Sequence, residues 1–92
     1  MNELSDRFAM LSREITALLD ACGSYITTEE NDEVVHFLEV NEFKLAFETL
    51  CGIFEDKGAI VPVSAGTTFD QLVAMMDIPP KYWTRARFGA RD

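Results

Sequence analysis

One histidine, two cysteines and sixteen carboxylates are the side chains in this 92-residue sequence whose types could support catalysis or metal binding. A hydrolytic nucleophile needs a base and a third group to orient it, and His36 is the only histidine on offer. It falls among Glu29, Asp32, Glu33 and Glu39, at spacings that suit one face of a helix rather than a cleft. Carboxylates that divide acid and base work must sit in environments that push their pKa values apart, and an exposed helix face offers only one environment. Cys22 and Cys51 are far apart, with neither a Cys-x-x-Cys spacing nor a histidine cluster to complete a zinc site. They read as reduced, buried small hydrophobes, and no disulfide is required. The chain has no glycine-rich phosphate loop, calcium loop or His-Glu-x-x-His signature. The sequence predicts a protein that is not an enzyme, with no metal and no cofactor, whose chemistry is recognition.

Charge says what it should recognise. The formal net charge is -8, and the imbalance is local: Glu29 to Asp56 contains nine acids against Lys44 as the one base. The tail from Ile78 onward reverses the sign, with Lys81, Arg85, Arg87 and Arg91 against Asp92. Such a field repels nucleic acid and membrane surfaces over most of the molecule and draws in a basic partner. No apolar run approaches the roughly 20 residues that cross a bilayer. The N-terminus lacks a basic stretch followed by an apolar one, so no secretion signal is expected and a cytoplasmic location is.

The elements that must position these charges read as helices. In Asn41 to Lys57, Phe43, Ala46, Phe47, Leu50, Cys51, Ile53 and Phe54 fall on one arc at about 100° per residue, while Lys44, Glu48, Gly52, Glu55 and Asp56 fall on the other. Asn41 is the expected N-cap, and Gly58 a residue free to close the helix with positive φ. Before it, Leu4, Phe8, Leu11, Ile15, Leu18 and Leu19 mark a first helix that ends at Gly23 and Ser24, with Tyr25 and Ile26 expected to cover the edge of the core. Thr27 or Thr28 should cap a second helix, with Glu30 or Asn31 near the capping-box position. Its inner face is Val34, Phe37 and Leu38, with Val35 beside them. Its outer face is Glu29, Asp32, Glu33, His36 and Glu39. Only Val40 and Asn41 are expected between the second and third helices, so the two should be close neighbours. Their acidic outer faces could then merge into one surface.

Beyond Gly58, Ala59 to Gly66 is an apolar segment in which Pro62 argues for a loop over the core rather than a central strand. Thr67 or Thr68 should cap a fourth helix carrying Phe69, Leu72, Val73 and Met76, ended near Asp77 by Ile78-Pro79-Pro80. Lys81 to Arg85 should add one helical turn, with Tyr82 and Trp83 either plugging the bundle or standing out as interface anchors. Phe88 to Asp92 are expected to fray. The fold class predicted is all-α: one domain, residues 1–92, built as a small antiparallel bundle of four main helices with a short C-terminal helical turn.

The third helix, Asn41-Glu42-Phe43-Lys44-Leu45-Ala46-Phe47-Glu48-Thr49-Leu50-Cys51, resembles the Glu-aromatic-x-x-Ala-x-Glu-x-Leu pattern of small bacterial immunity proteins of the MafI type, some of them paired with contact-dependent growth inhibition toxins. Val34 to Leu38 before it, and Phe69 to Val73, Met75, Met76 and Trp83 after it, are similar to that family's helix order. The likeness covers roughly residues 28 to 83, with Glu42, Ala46 and Glu48 its most telling part. The resemblance implies a cytosolic antitoxin that binds and blocks a polymorphic toxin, often a nuclease. It carries over no partner-contacting residue, since those vary with the toxin. The residues themselves nominate Glu29, Asp32, Glu33, His36, Glu39, Glu42, Glu48 and Glu55 as the toxin-binding set. An acidic face can occupy the Lys and Arg surface with which a nuclease grips phosphates. The partner expected is a cognate basic toxin domain, with no direct contact to nucleic acid or membrane. The chain itself is expected to be a monomer or a weak homodimer through Tyr82 and Trp83. The alternative is an acidic adaptor or DNA mimic that binds a nucleic-acid-binding regulator.

Overall fold

The aromatic face of the third helix sets the architecture, because three phenylalanines on one side need neighbours to cover them. Each contributes on the order of 2 to 3 kcal/mol only when it leaves water. A computed structural model describes residues 3–89. The helices are α1 (Glu3–Ala21), α2 (Thr28–Glu39), α3 (Phe43–Lys57), α4 (Gly66–Met76) and α5 (Pro80–Phe88), with short 3-10 turns at Gly23–Tyr25 and Val63–Ala65. The described residues contain no strand, so the fold is all-α. The side chain of Leu4, placed above in the first apolar stripe, and the terminal Arg91 and Asp92 lie outside the described residues.

All seven residues assigned to the inner arc of α3 are buried. α2 covers one flank of that arc and α5 the other, while α1 lies against α4, α3 and α2. Aromatic rings link the helices at tilted, edge-favouring separations. Phe8 of α1 meets Phe43 at 5.1 Å, and Phe47 meets Phe69 of α4 at 4.9 Å. Phe69 in turn lies 6.5 Å from Trp83 of α5. Trp83 is half-buried, and its Nε1–H donates to the Ile78 carbonyl at 3.0 Å, so the plugging alternative describes it. Tyr82 points out, 40% exposed. Ile26 packs on the core as expected, whereas Tyr25 stands half exposed.

Three helices close on a left-handed residue, one step past the end in α3 and α4 and two steps past it in α2. The Asn41 N–H reaches the Leu38 carbonyl at 3.1 Å and the Glu42 N–H reaches that of Phe37 at 2.8 Å. The Gly58 and Ala59 N–H groups repeat the arrangement on Glu55 and Phe54, and those of Asp77 and Ile78 both turn back to Val73. This closure satisfies carbonyls that a helix end otherwise leaves orphaned. Asn41 and Asp77, at φ of 61° and 52°, are the two described non-glycine residues with positive φ. Asn41 therefore does not cap α3; it ends α2. Glu42 takes the N-cap position without a side-chain bond, and three residues, not two, separate the helices.

Neither Thr67 nor Thr68 caps α4. The 3-10 turn at Val63–Ala65 runs directly into the helix, so Gly66 is already helical and both threonines lie inside the first turn. Gly66 has a steric reason to be there: an added Cβ would stand 2.8 Å from Nη2 of Arg87. Arg87 lies over this turn because its guanidinium also holds Asp70, through Nε at 3.0 Å and Nη2 at 3.3 Å. α5 is longer than the single turn expected, continuing through Phe88. Burial of Ala86 and acceptance of the Val61 N–H by its carbonyl at 2.9 Å extend it. The loop over the core is correspondingly half true, with Val61 and Ala65 buried but Ile60 and Val63 facing out.

Candidate partner-binding surface

α2 begins with a complete capping box. The Thr27 hydroxyl accepts the Glu30 N–H at 3.2 Å, and a Glu30 carboxylate oxygen accepts the Thr27 N–H at 2.9 Å. The same carboxylate takes Lys57 Nζ of α3 at 2.9 Å. The Thr27 N–H first, then Lys57, hold the Glu30 carboxyl below its usual range. One of the acids of α2 is thus committed to the fold, and the helical period alone sets it apart from the outer face.

The rest of the outer face is free of such ties. Glu29, Asp32, Glu33, His36 and Glu39 are all exposed, and at about 100° per residue they occupy an arc of about 120° centred on His36. None of its four carboxylates forms an ion pair among the described residues. Like charges three and four residues apart repel by a few tenths of a kcal/mol per pair, so the face costs the helix stability.

The remaining nominated acids do not all join it. Glu42 sits in the turn between α2 and α3, exposed and next to the α2 end of the arc. Lys57 pairs with Glu30, which fixes one flank of α3 against α2; Glu55, two residues earlier and so about 200° away around the axis, lines a groove against α5 instead. Glu48, seven residues before Glu55, shares its stripe within about 20°. The structure therefore divides the acids into two groups: Glu29, Asp32, Glu33, Glu39 and Glu42 on the α2 side, Glu48 and Glu55 on the α5 side. A single merged surface does not form, because the neighbour on each flank of α3 separates the stripes.

Two exposed apolar side chains stand near the acids, one of them on the α2 side. Val40, 52% exposed, stands beside Glu42 at the α2–α3 turn, whereas Leu45, 45% exposed, faces outward on α3 nearer the Glu48 stripe than the Lys57 flank. Leu45 gave a signal in the sequence, as an apolar residue that belongs to neither the inner arc nor the charged positions of α3. Val40 gave none, since it looked like loop.

On the other flank, the groove has a volume of about 920 Å³, with Lys81, Thr84, Arg85 and Phe88 of α5 facing Glu55. Its cations were legible only as the positive balance of the tail. The cysteines offer no nucleophile: both are fully buried, and burial pushes the Cys22 thiol up to about 11. Burial and then the carboxylates of Glu55 and Glu48 push that of Cys51 up to about 12. Both are protonated at neutral pH and unreactive as thiolates. Among the described residues no charged side chain is buried and no group of three His, Cys, Asp or Glu is placed to hold a metal ion. No described helix is long and apolar enough to cross a membrane.

No family model matches the chain, and neither a curated protein nor a solved structure matches it.

Proposed function

We propose that this chain is an immunity protein that binds a cognate bacterial toxin domain with a basic surface, a nuclease being the toxin whose substrate an acidic face best imitates, and neutralises it in a stoichiometric complex. The observation that carries the reading is the α2 arc. Four carboxylates stand together on it without counter-ions among the described residues, at a cost to the helix, while the one acid of α2 that is tied to the fold, Glu30, is turned away from it. A face kept at the expense of stability calls for a use outside the fold. The exposed Val40 beside Glu42 favours a toxin over a purely electrostatic DNA-mimic role. Apolar side chains that become desolvated hold a complex together, whereas rim charges mainly speed its formation. The resemblance of α3 and its neighbours to MafI-type immunity proteins points the same way. The reading takes the four longer helices as an antiparallel bundle, supported by the short α2–α3 connection, acting as a cytoplasmic monomer that performs no catalysis.

The test is calorimetric titration against the toxin domain encoded next to this chain, at two salt concentrations, with the wild type and with the D32K/E33K/E39K variant. Tight one-to-one binding that weakens with salt, and an affinity lower by on the order of 100-fold in the variant, is the expected result. The variant should fold as well as the wild type or slightly better, because a lysine in place of Glu33 attracts Glu29 one turn earlier, where two carboxylates repelled each other. Unchanged affinity in a folded variant would remove the arc from the interface. Capture of a DNA-binding regulator with no toxin binding would replace the immunity reading with the adaptor one.

A further inference from the structure

The groove on the α5 flank has a chemistry of its own. Lys81 and Arg85 are one helical turn apart on its wall, and neither forms an ion pair among the described residues. The third cation of α5, Arg87, is already taken by Asp70. Beside these two cations lie the Pro80 ring and Phe88, the latter 48% exposed. Lys81 Nζ rests 5.0 Å from the Tyr82 ring centre and the Arg87 guanidinium 5.2 Å from that of Phe88, cation–π contacts that leave the ammonium charge uncompensated and cover one side of the Phe88 ring. A smaller hollow continues the groove past Arg85 to Gly58 and Ala59. Free cations would be ordinary on a basic protein, but here they are gathered at one concave, apolar-floored place on a chain of net charge -8.

We infer that this groove binds a small amphipathic anion, a monocarboxylate or monosulfonate on an aryl or hydrocarbon body, with Lys81 and Arg85 holding the charged head and Pro80 and Phe88 receiving the body. The volume is that of ordinary small-ligand sites, which span roughly 300 to 1,000 Å³ and combine mostly apolar walls with a few placed polar groups. Arg85 supplies a planar fork that matches a carboxylate edge, and Lys81 a mobile point charge beside it. Glu55 across the groove restricts the class. It repels a second negative charge, which disfavours polyanions such as nucleic acid, and favours a ligand with a hydroxyl or amine at that end. A helix of a second copy is a poorer occupant, because the α2 arc that could supply the charge carries no apolar residue to meet the floor. The groove and the α2 arc lie on opposite flanks of α3, so both can be occupied at once.

The chain carries its own reporter, since the single tryptophan, Trp83, has its ring 6.1 Å from that of Phe88. Titration of the purified protein with phenylbutyrate, followed by Trp83 fluorescence, should saturate in the wild type. Binding should weaken at least about tenfold in K81Q/R85Q, and phenylbutanol, which keeps the body and loses the charge, should bind the wild type at least about tenfold more weakly than the acid. E55Q should tighten binding severalfold. All three positions are exposed, and circular dichroism verifies that the variants fold. No saturable response in the wild type, equal binding by the K81Q/R85Q protein, or a dimer in sedimentation that dissociates on K81Q/R85Q substitution would each overturn the assignment. Toxin binding unaltered in K81Q/R85Q keeps this site separate from the α2 arc.

Discussion

α2 and α5 flank the same helix and carry opposite charge, and each commits one charged residue to the fold while leaving the others outside it. In α2 the committed residue is Glu30, held by Thr27 and Lys57; in α5 it is Arg87, held by Asp70. The four acids of the α2 arc and the two cations of the α5 groove make no such contacts among the described residues. What differs is shape. The acids stand on a convex helix face with apolar side chains only at its rim, whereas the cations line a concavity with an apolar floor. Charge on a convex face suits a protein surface large enough to wrap it, and charge in a hollow suits something small enough to enter. The sign of the charge alone would have suggested one interface; the curvature separates two.

The largest loss is expected at the helix both flanks share. Phe47→Ala removes a fully buried ring that touches Phe69 and should cost about 3 to 5 kcal/mol, read as a drop in the denaturant midpoint with loss of both surfaces together. A smaller and one-sided effect is expected from Thr27→Ala, which deletes the capping box of α2 at about 1 kcal/mol. Hydrogen exchange should rise in the first turn of α2 and stay unchanged in α5. The smallest effect depends on pH. The Glu30 carboxyl is held below its ordinary 4.5 in the folded chain, so its contribution is present above that value and fades as pH falls through the folded-state value. The stability difference between wild type and Glu30→Gln should therefore be constant near neutrality and vanish in acid.

Much of this fold can be read along the chain, because helices are written in local periodicity. Every inner-arc residue of α3 is identifiable, and the capping box of α2 narrows to Thr27 or Thr28 with Glu30 or Asn31, between which the structure selects Thr27 and Glu30. Asn41 was misread for a physical reason: asparagine suits both an N-cap and a left-handed helix closure, and only the competing claim of the α2 end decides between them. The threonines after Gly66 misled in a similar way, since a 3-10 turn upstream had already started the helix. The acidic candidates were found individually, but their division was invisible, because which flank of α3 faces α2 and which faces α5 depends on contacts distant in sequence. The groove was hidden for the same reason, with Glu55 and Arg85 brought together only when α5 docks.

That docking has a consequence in time. The α2–α3 pair is made from contacts near in sequence, joined by a turn of three residues, whereas α5 is held by contacts reaching back about 30 residues to α3, and by Val61 N–H on the Ala86 carbonyl. Local contacts close sooner than distant ones. During synthesis the acidic arc is assembled while one flank of the aromatic face of α3 still awaits its cover, and α5, emerging later, seals it. Shortening the chain within α5 should leave an acidic face in place on a molecule with an exposed phenylalanine seam, a species prone to association and quickly cleared by proteases.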